Sequence, residues 1–260
     1  MTRVVAIVLV KNENLFIERV IRNIAGFCDE ILLADHESDD GTTEILQKLA
    51  AEFPHARLHR IKYASESHDL LQPYVNTPTW IFGVDGDELY DPAQLGAFRP
   101  RLDAGEFDQW WMIFGNVLNC DDWQQTARRA SGFLSPPSRS MTKLYNFNAI
   151  TSWKGDNPSR LHGGKILFKP GFDETRKLEL HQRHTWENSP FRCLHLCFVP
   201  RSSKTSSEET HRHHPEVKGR NFWHECLQHF WRTLRPEASR DWRQERYRRG
   251  PRVEVDVTGF

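Results

Sequence analysis

With 260 residues, 38% hydrophobic and 12% aromatic, the chain is long enough to bury one sizeable core, or a core plus an appendage, and too apolar to be disordered. Its 35 basic and 35 acidic side chains cancel, but unevenly: acidic residues gather in the first half while 201–252 is basic, which points that end alone at an anionic partner. Five cysteines, an odd number without disulfide-framework spacing, exclude a disulfide scaffold and fit a reducing compartment.

Residues 4–10 are a continuous β-branched run, the pattern of a strand buried on both faces of a parallel sheet. They lack a signal-peptide cleavage site and run straight into Lys11-Asn12-Glu13-Asn14, and no apolar run in the chain approaches the ~20 residues needed to span a bilayer. A cytoplasmic protein is expected, associated at most with the inner face of a membrane. Asn14 is placed to cap a helix over 15–24, whose Phe16, Ile17, Val20, Ile21 and Ile24 keep helical spacing. Residues 31–34 read as a second strand, Thr42 or Thr43 as the cap of a helix over 44–53 stopped by Pro54, 56–63 as a third strand, 68–75 as a short helix and 80–84 as a fourth strand. This βαβαβαβ order, with right-handed crossovers, predicts an open α/β fold built on a mostly parallel sheet with helices on both faces.

After Pro92 the pattern loosens. Residues 95–104 are helix-like, 107–114 read as a strand, 119–140 as a polar loop and 141–145 as another strand; the Gly-, Asp- and His-rich stretch 153–164 reads as a loop that walls or covers a site. In the late strand 193–199, alternation puts Cys193, His195 and Cys197 on one face. Side chains two apart on a strand lie roughly 6.6 Å from each other, so these three cannot share an ion whose donors sit about 2.0–2.3 Å away. The cysteines read as small buried apolar groups and His195 as the ligand of the set. His211-Arg212-His213-His214 reads as a loop with no assignable role, 221–234 as a helix with one apolar side, and 240–252 as basic with Trp242 and Tyr247 interleaved.

In a parallel sheet ligands bind beyond the carboxyl ends of the strands. Three polar clusters fall there: Lys11-Asn12-Glu13, the stretch from Asp35 to Gly41, and Asp85-Gly86-Asp87-Glu88. Carboxylates crowded at a strand end repel one another unless a cation or hydrogen-bond donors hold them, and hard oxygen ligands suit Mg²⁺ or Mn²⁺. Such an ion neutralises a diphosphate leaving group. Asp35 is placed like the acidic residue that contacts a ribose or base in nucleotide-binding sheets, and equally like the first residue of an Asx turn. No Gly-x-Gly-x-x-Gly follows the first strand and no Walker A motif occurs, which argues against a dinucleotide enzyme and a P-loop NTPase.

Val8-Leu9-Val10-Lys11-Asn12-Glu13, then Leu33-Ala34-Asp35-His36-Glu37-Ser38-Asp39-Asp40-Gly41-Thr42, then Thr79-Trp80-Ile81-Phe82-Gly83-Val84-Asp85-Gly86-Asp87-Glu88 resemble, in order and spacing, the three N-terminal signatures of glycosyltransferase family 2, the inverting GT-A enzymes. The resemblance covers residues 3–92. It implies a Rossmann-like GT-A domain over 1–215, with a nucleotide-sugar-binding half (1–92) and an acceptor half (93–215), followed by a helical extension over 216–260. It also implies a nucleoside diphosphate sugar as donor and Mn²⁺ or Mg²⁺ as cofactor. Val10, Asn12, Glu13 and Asp35 would line the donor, Asp85 its ribose or metal-bound phosphate, and Asp87 the metal, with Asp85 and a late-strand histidine, best matched by His195, completing the metal site.

Two departures stand out. Where the family's second loop usually carries glycine, this chain has Asp35-His36-Glu37-Ser38, so its turn cannot rely on glycine. Where relatives often carry a His-Glu pair whose acid is a candidate base, this chain has Trp153-Lys154-Gly155 and then His162-Gly163. Inversion needs one group to take the acceptor hydroxyl's proton; Asp156 is the first candidate, with His162 and Glu88 behind it. The acceptor is expected to be a saccharide or lipid-linked glycan hydroxyl. The basic tail reads as a helix packed on the catalytic domain or as a peripheral contact with anionic lipid or a phosphorylated glycan; with no nucleic-acid motif beside the charge, nucleic acid is not an expected partner. A silent nucleotide-sugar or glycan-binding module and a sugar nucleotidyltransferase are the alternatives, the latter lacking its usual glycine-rich N-terminal loop here.

Overall fold

The computed structural model describes residues 2–139, 143–156, 161–204 and 242–260. The chain begins β1 (Arg3–Val10), α1 (Ile17–Ala25), β2 (Glu30–Asp35), α2 (Thr42–Glu52), β3 (Ala56–Arg60), α3 (Glu66–Asp69), β4 (Thr79–Asp85), β5 (Glu88–Tyr90) and α4 (Pro92–Asp103). It continues with β6 (Met112–Phe114), β7 (Asn116–Gln124), β8 (Arg129–Ser135), β9 (Lys143–Asn146), β10 (Ile150–Lys154), β11 (Lys165–Phe168), β12 (Lys177–Glu179) and β13 (Arg192–His195), and ends with α5 (Trp242–Tyr247) and β14 (Arg252–Asp256).

The expected parallel sheet is present. It has seven strands in the order β12-β6-β9-β4-β1-β2-β3. β1 is parallel to both β2 and β4, and β2 to β3, while β9 enters antiparallel between β4 and β6. The unbroken apolar runs of β1 and β4 are buried on both faces: Val4, Ala6, Val8 and Val10 meet Ile17, Val20, Ile21 and Ile24 of α1, whereas Val5, Ile7 and Leu9 meet a second core containing Trp111, Tyr145, Phe147 and Trp153. Because the chain goes from β1 to β2 and β3 on one side and returns to β4 on the other, the carboxyl ends of β1 and β4 flank the topological switch point, where such sheets open a crevice.

A second, five-stranded sheet has the order β14-β8-β7-β13-β5. Only the turn at Gly86-Asp87 separates β4 of the first sheet from β5 of the second, so the acidic turn lies where the two sheets meet. β13 runs antiparallel to β5 and parallel to β7, which sets His195 opposite Glu88 on one side and Asn119 on the other.

The second half differs from its expected outline. The loop expected over 119–140 is mostly the β7–β8 hairpin: Cys120 and Ala130 point into the core while the polar residues between them face solvent, and a hairpin with one wet face imitates a loop in sequence. The 68–75 helix is split into α3 and a 3₁₀ turn at Gln72–Tyr74, where Pro73 interrupts it. α4 starts earlier, at Pro92, because Asp91 caps it by accepting from the Ala93 and Gln94 amides at 3.0 and 3.2 Å. The C-terminal segment is not only helical: β14 adds an edge strand to β8. The expected helix over 221–234 and the His211-Arg212-His213-His214 run lie outside the described residues. Among the described residues, no helix is long and apolar enough to cross a membrane.

Candidate functional site

The loops after β1 and β2 are stitched together by side chains expected elsewhere. Asn14 does not cap α1, which has no side-chain cap; its amide donates to the Asp40 carbonyl and to Ser203 Oγ. Thr42 and Thr43 begin α2, but their hydroxyls serve the loops. Thr42 Oγ1 accepts from the Glu13 amide at 2.9 Å and donates to Asp40 at 2.5 Å, and Thr43 Oγ1 donates to Asp35 Oδ2 at 2.6 Å. Asn12, in the left-handed region at φ 55°, exchanges two hydrogen bonds with Asp39 at 2.9 Å, while its amide donates to Ser38 Oγ. Val10 anchors the same corner through its carbonyl, which accepts from the His36 amide. Glu37 takes φ 52° with no glycine available, a conformation an L-residue adopts at a cost of roughly 1–2 kcal/mol, and the surrounding cross-links hold it there.

Asp35 itself is completely buried. It accepts from the Ser38 amide at 3.1 Å and from Thr43, so in this conformation it opens the turn of its own loop rather than facing a ligand. Asp40 is held in the same way. Burial pushes its pKa up, but donors from Ser202, Thr42 and Asn14 outweigh burial and leave it below the usual carboxylate range.

At the end of β4, Asp85 is half-buried, whereas Asp87 and Glu88 are buried. Glu88 is fully enclosed and accepts from the Asp85 amide and the Tyr90 hydroxyl, both at 3.1 Å, which braces the turn from beneath. Burial, reinforced by this carboxylate, pushes the Tyr90 pKa well up and keeps the phenol a donor. Gly86 lets the two loops approach closely: a Cβ there would lie 1.5 Å from Glu13 Oε2, so the Glu13 carboxylate would have to move. The buried Glu13 carboxylate from the β1 loop is thus laid against the acidic turn.

His195 meets this turn from β13. Its Nε2 lies 3.8 Å from Asp87 Oδ2, and its Nδ1 lies 2.8 Å from Asn119 Oδ1. Asn119 donates through its amide nitrogen to Ser138 Oγ and the Arg139 carbonyl, so the oxygen faces the imidazole and Nδ1 carries the hydrogen. Nε2 is the ring nitrogen that faces Asp87, and the Nδ1–Asn119 bond is of the kind that orients a metal-ligating histidine from outside. Two donors about 2.1 Å from one octahedral ion stand about 3 Å apart when adjacent and about 4.2 Å when opposite, so the 3.8 Å Asp87–His195 separation puts both within reach of one divalent cation without presenting either octahedral arrangement. Asp85 does not complete a set with them: among the described residues no three His, Cys, Asp or Glu side chains are grouped to hold an ion.

A cation is already present in the form of Arg201, a residue the sequence did not single out. Its Nη1 lies 2.6 Å from Asp87 Oδ2 and 3.7 Å from Glu13 Oε1. The segment 196–204 runs from β13 across all three acidic clusters: the Leu196 amide donates to the Asp87 carbonyl, Ser202 Oγ to Asp40 at 2.5 Å, the Ser203 amide to Asn14, and Lys204 pairs with Asp39 at 3.3 Å. The available signal was the polar run Arg201-Ser202-Ser203-Lys204 a few residues beyond the strand that carries His195. Cys193 is buried as expected, whereas β13 ends at His195 and Cys197, beyond it, is only half-buried; burial pushes both thiols above their usual pKa.

Asp156 and His162 lie apart from this cluster in the β10–β11 hairpin region, both exposed. His162 stacks on Tyr145, with ring centroids 6.2 Å apart, and its Nδ1 is 3.1 Å from the Tyr145 hydroxyl. Burial above all, then the Glu88 and Asp85 charges, pushes the Tyr145 pKa well up. The described part of the basic tail is used in packing. Tyr247 meets the His195 ring edge-on at 5.5 Å, Arg248 lies over Phe198 at 4.3 Å and Arg252 pairs with Asp121 at 3.1 Å.

No curated protein matches the chain. Solved structures similar to it include TarS (residues 1–349) from S. aureus, at 14% identity over 56% of this chain and 47% of that one with a TM-score of 0.39. Another is glucosyl-3-phosphoglycerate synthase from Mycobacterium tuberculosis in complex with Mn²⁺, UDP and glucosyl-3-phosphoglycerate, at 18% identity over 44% and 43% with a TM-score of 0.33. A third is the mannosyltransferase PcManGT from Pyrobaculum calidifontis in complex with GDP-Man and Mn²⁺, at 20% identity over 46% and 36% with a TM-score of 0.31. The chain spans less than half the length of each of these solved chains. The model for glycosyl transferase family 2 matches residues 5–176, well over half of the chain and including the β1, β2 and β4 ends that build the acidic edge. The mixed α/β sheet described above is accordingly that of a GT-A glycosyltransferase, and the chain belongs to glycosyl transferase family 2.

Proposed function

We propose that this protein transfers a glycosyl group from a nucleoside diphosphate sugar to a saccharide or glycan hydroxyl, with inversion at the anomeric carbon and with Mn²⁺ or Mg²⁺ bound to Asp87 and His195. The observation that carries this reading is the approach of His195 Nε2 to within 3.8 Å of Asp87 Oδ2 at the switch-point edge, with its tautomer set by Asn119. The ion would neutralise the charge that develops on the departing diphosphate.

The chain's own groups would supply the rest. Asn12, Ser38 and Asp39 shape the rim beside β1, and Asp85, half-buried, is the carboxylate open to the donor's ribose or phosphate. Glu88, enclosed beneath the turn, is assigned to bracing Asp85 rather than to proton transfer. In a single displacement the acceptor oxygen bonds to the anomeric carbon as the bond to the diphosphate oxygen breaks, and the hydroxyl proton passes to a base. Asp156 and His162 are the solvent-reachable candidates for that base.

Thermal melts with UDP-, GDP-, dTDP- and CMP-linked sugars, each with and without Mn²⁺, test the donor reading. One nucleotide class at about 100 times its Kd should add about 2.7 kcal/mol, and so raise Tm by about 5–10 °C, in the presence of Mn²⁺. No shift with any of them sinks the reading, and a shift without turnover across a panel of acceptors leaves a nucleotide-sugar binding module.

A further inference from the structure

Asp87 Oδ2 is shared by two cationic demands. His195 Nε2 stands 3.8 Å from it, within reach of a shared ion, and the Arg201 guanidinium is bonded to it at 2.6 Å. Arg201 is only 13% exposed and also reaches toward the buried Glu13 at 3.7 Å. A divalent ion on Asp87 and His195 would take up the charge of the same oxygen, and two like charges on one carboxylate atom in a largely buried setting repel strongly.

Arg201 does not reach this position as a wandering surface side chain. Its backbone carbonyl accepts from the Leu15 amide at 3.1 Å, Ser202 Oγ donates to Asp40 at 2.5 Å, and Ser203 and Asn14 exchange two hydrogen bonds at 2.7 and 2.9 Å. Ser202 is itself buried, so the strap that delivers the guanidinium is seated in the loops of β1 and β2. Those loops also form the proposed donor rim, which ties delivery of the guanidinium to the state of that rim.

We propose that Arg201 is the resident counter-ion of Asp87 and sets when the divalent ion binds: with the strap seated, the guanidinium excludes the ion, and a nucleoside diphosphate, by giving Arg201 another anionic partner, releases Asp87 to it. This rests on the donor and metal reading above and adds a thermodynamic order to it. Metal and nucleotide then bind with positive coupling, and each must raise the affinity of the other by the same factor. Guanidinium is suited to the exchange because it is permanently charged and its fork matches carboxylate and phosphate alike.

The test is Mn²⁺ titration of the full chain, followed by the electron paramagnetic resonance signal of free Mn²⁺, with and without UDP and GDP. Arg201→Gln should bind Mn²⁺ at least about tenfold more tightly than wild type in the absence of nucleotide, a shift of one decade in Kd being about 1.4 kcal/mol. Its nucleotide-dependent gain should shrink by the same factor, Arg201→Lys, which keeps a cation, should stay near wild type, and adding Asp87→Asn should abolish the gain. Ser202→Ala, which loosens the strap while leaving Arg201 in place, should move Mn²⁺ affinity in the same direction by less, and gives a second readout should Arg201→Gln fold poorly. Unchanged or weaker Mn²⁺ binding in Arg201→Gln and Ser202→Ala, with wild type still binding Mn²⁺ alongside nucleotide, overturns the exclusion and spares the donor reading. No Mn²⁺ binding by any protein under any condition overturns both.

Discussion

The two edges of the seven-stranded sheet both bury carboxylates, and they neutralise them differently. At the amino edge, where β1 and β2 begin, Glu30 is only 3% exposed and meets Arg3 at 2.7 Å, Arg57 at 3.4 Å and the Tyr74 hydroxyl at 2.6 Å. Asp29 beside it accepts from the Val4 amide and pairs with Arg99 at 2.9 Å. Two of these cations, Arg3 and Arg57, lie on strands of the sheet itself. At the carboxyl edge, Asp35 and Asp40 accept mainly from hydroxyls and amides, with Arg60 of β3 at 3.9 Å from Asp35, and Asp87 meets Arg201, 114 residues away in sequence. Charge at the amino edge is matched at short range by guanidinium groups of the sheet itself, whereas charge at the carboxyl edge is held chiefly by neutral donors and by one guanidinium brought in from a distant segment.

The contrast predicts different phenotypes for equally conservative changes. Asp87→Asn removes a proposed metal ligand and should lower kcat/KM for transfer by about 10²-fold or more, since the ion's charge stabilisation is worth several kcal/mol. Its melting temperature should fall as well, because the largely buried Arg201 loses its 2.6 Å partner, so the two variants separate on transfer and donor binding rather than on stability. Glu30→Gln should cost about 1–3 kcal/mol of stability through the loss of charged hydrogen bonds, with donor affinity intact. The contrast breaks if Glu30→Gln weakens donor binding as much as Asp87→Asn does.

A smaller effect is expected one shell out. Asn119 is oriented by Ser138 and Arg139 so that its oxygen fixes the His195 tautomer. Asn119→Ala should therefore weaken Mn²⁺ binding in the presence of nucleotide by about 10–100-fold, the usual consequence of losing an outer partner of a ligating histidine. Asn119→Asp should restore much of that loss, because a carboxylate also accepts from Nδ1. An effect on stability alone, with Mn²⁺ affinity untouched, would reduce Asn119 to a packing residue.

The carboxyl edge was legible because strand periodicity and acidic strand ends are both short-range signals. The continuous runs ending at Val10, Asp35 and Asp85 gave the sheet and the position of the edge without reference to the rest of the chain. What closes that edge was not legible. Arg201 and Asn119 reach Asp87 and His195 through pairings of β13 with β5 and β7, and no local pattern encodes which strands become neighbours. The β7–β8 hairpin was hidden for a related reason: its outward face carries Asp121, Gln124 and the exposed turn at 125–128, so half of its positions resemble a loop. Asn14, Thr42 and Thr43 have the composition of helix caps, yet the loops they border have stronger uses for their donors and acceptors.

The smallest predicted effect isolates the amino edge by pH. Burial and the hydrogen bond to Glu30 push the Tyr74 pKa up to about 12, against about 10 for an unfolded tyrosine. A folded-state pKa above the unfolded value means that the neutral phenol contributes stability that is fully present below about pH 10 and is lost as pH rises through about 12. Tyr74→Phe removes both the hydrogen bond and the titration, so the gap in urea midpoint between wild type and variant should be constant from pH 8 to about 10 and close toward pH 12. Nucleotide binding at pH 8 should be the same in both proteins, because the phenol lies at the edge away from Asp87. A gap that persists unchanged to pH 12 would mean that Tyr74 matters through packing, leaving Arg3 and Arg57 as the groups that neutralise Glu30.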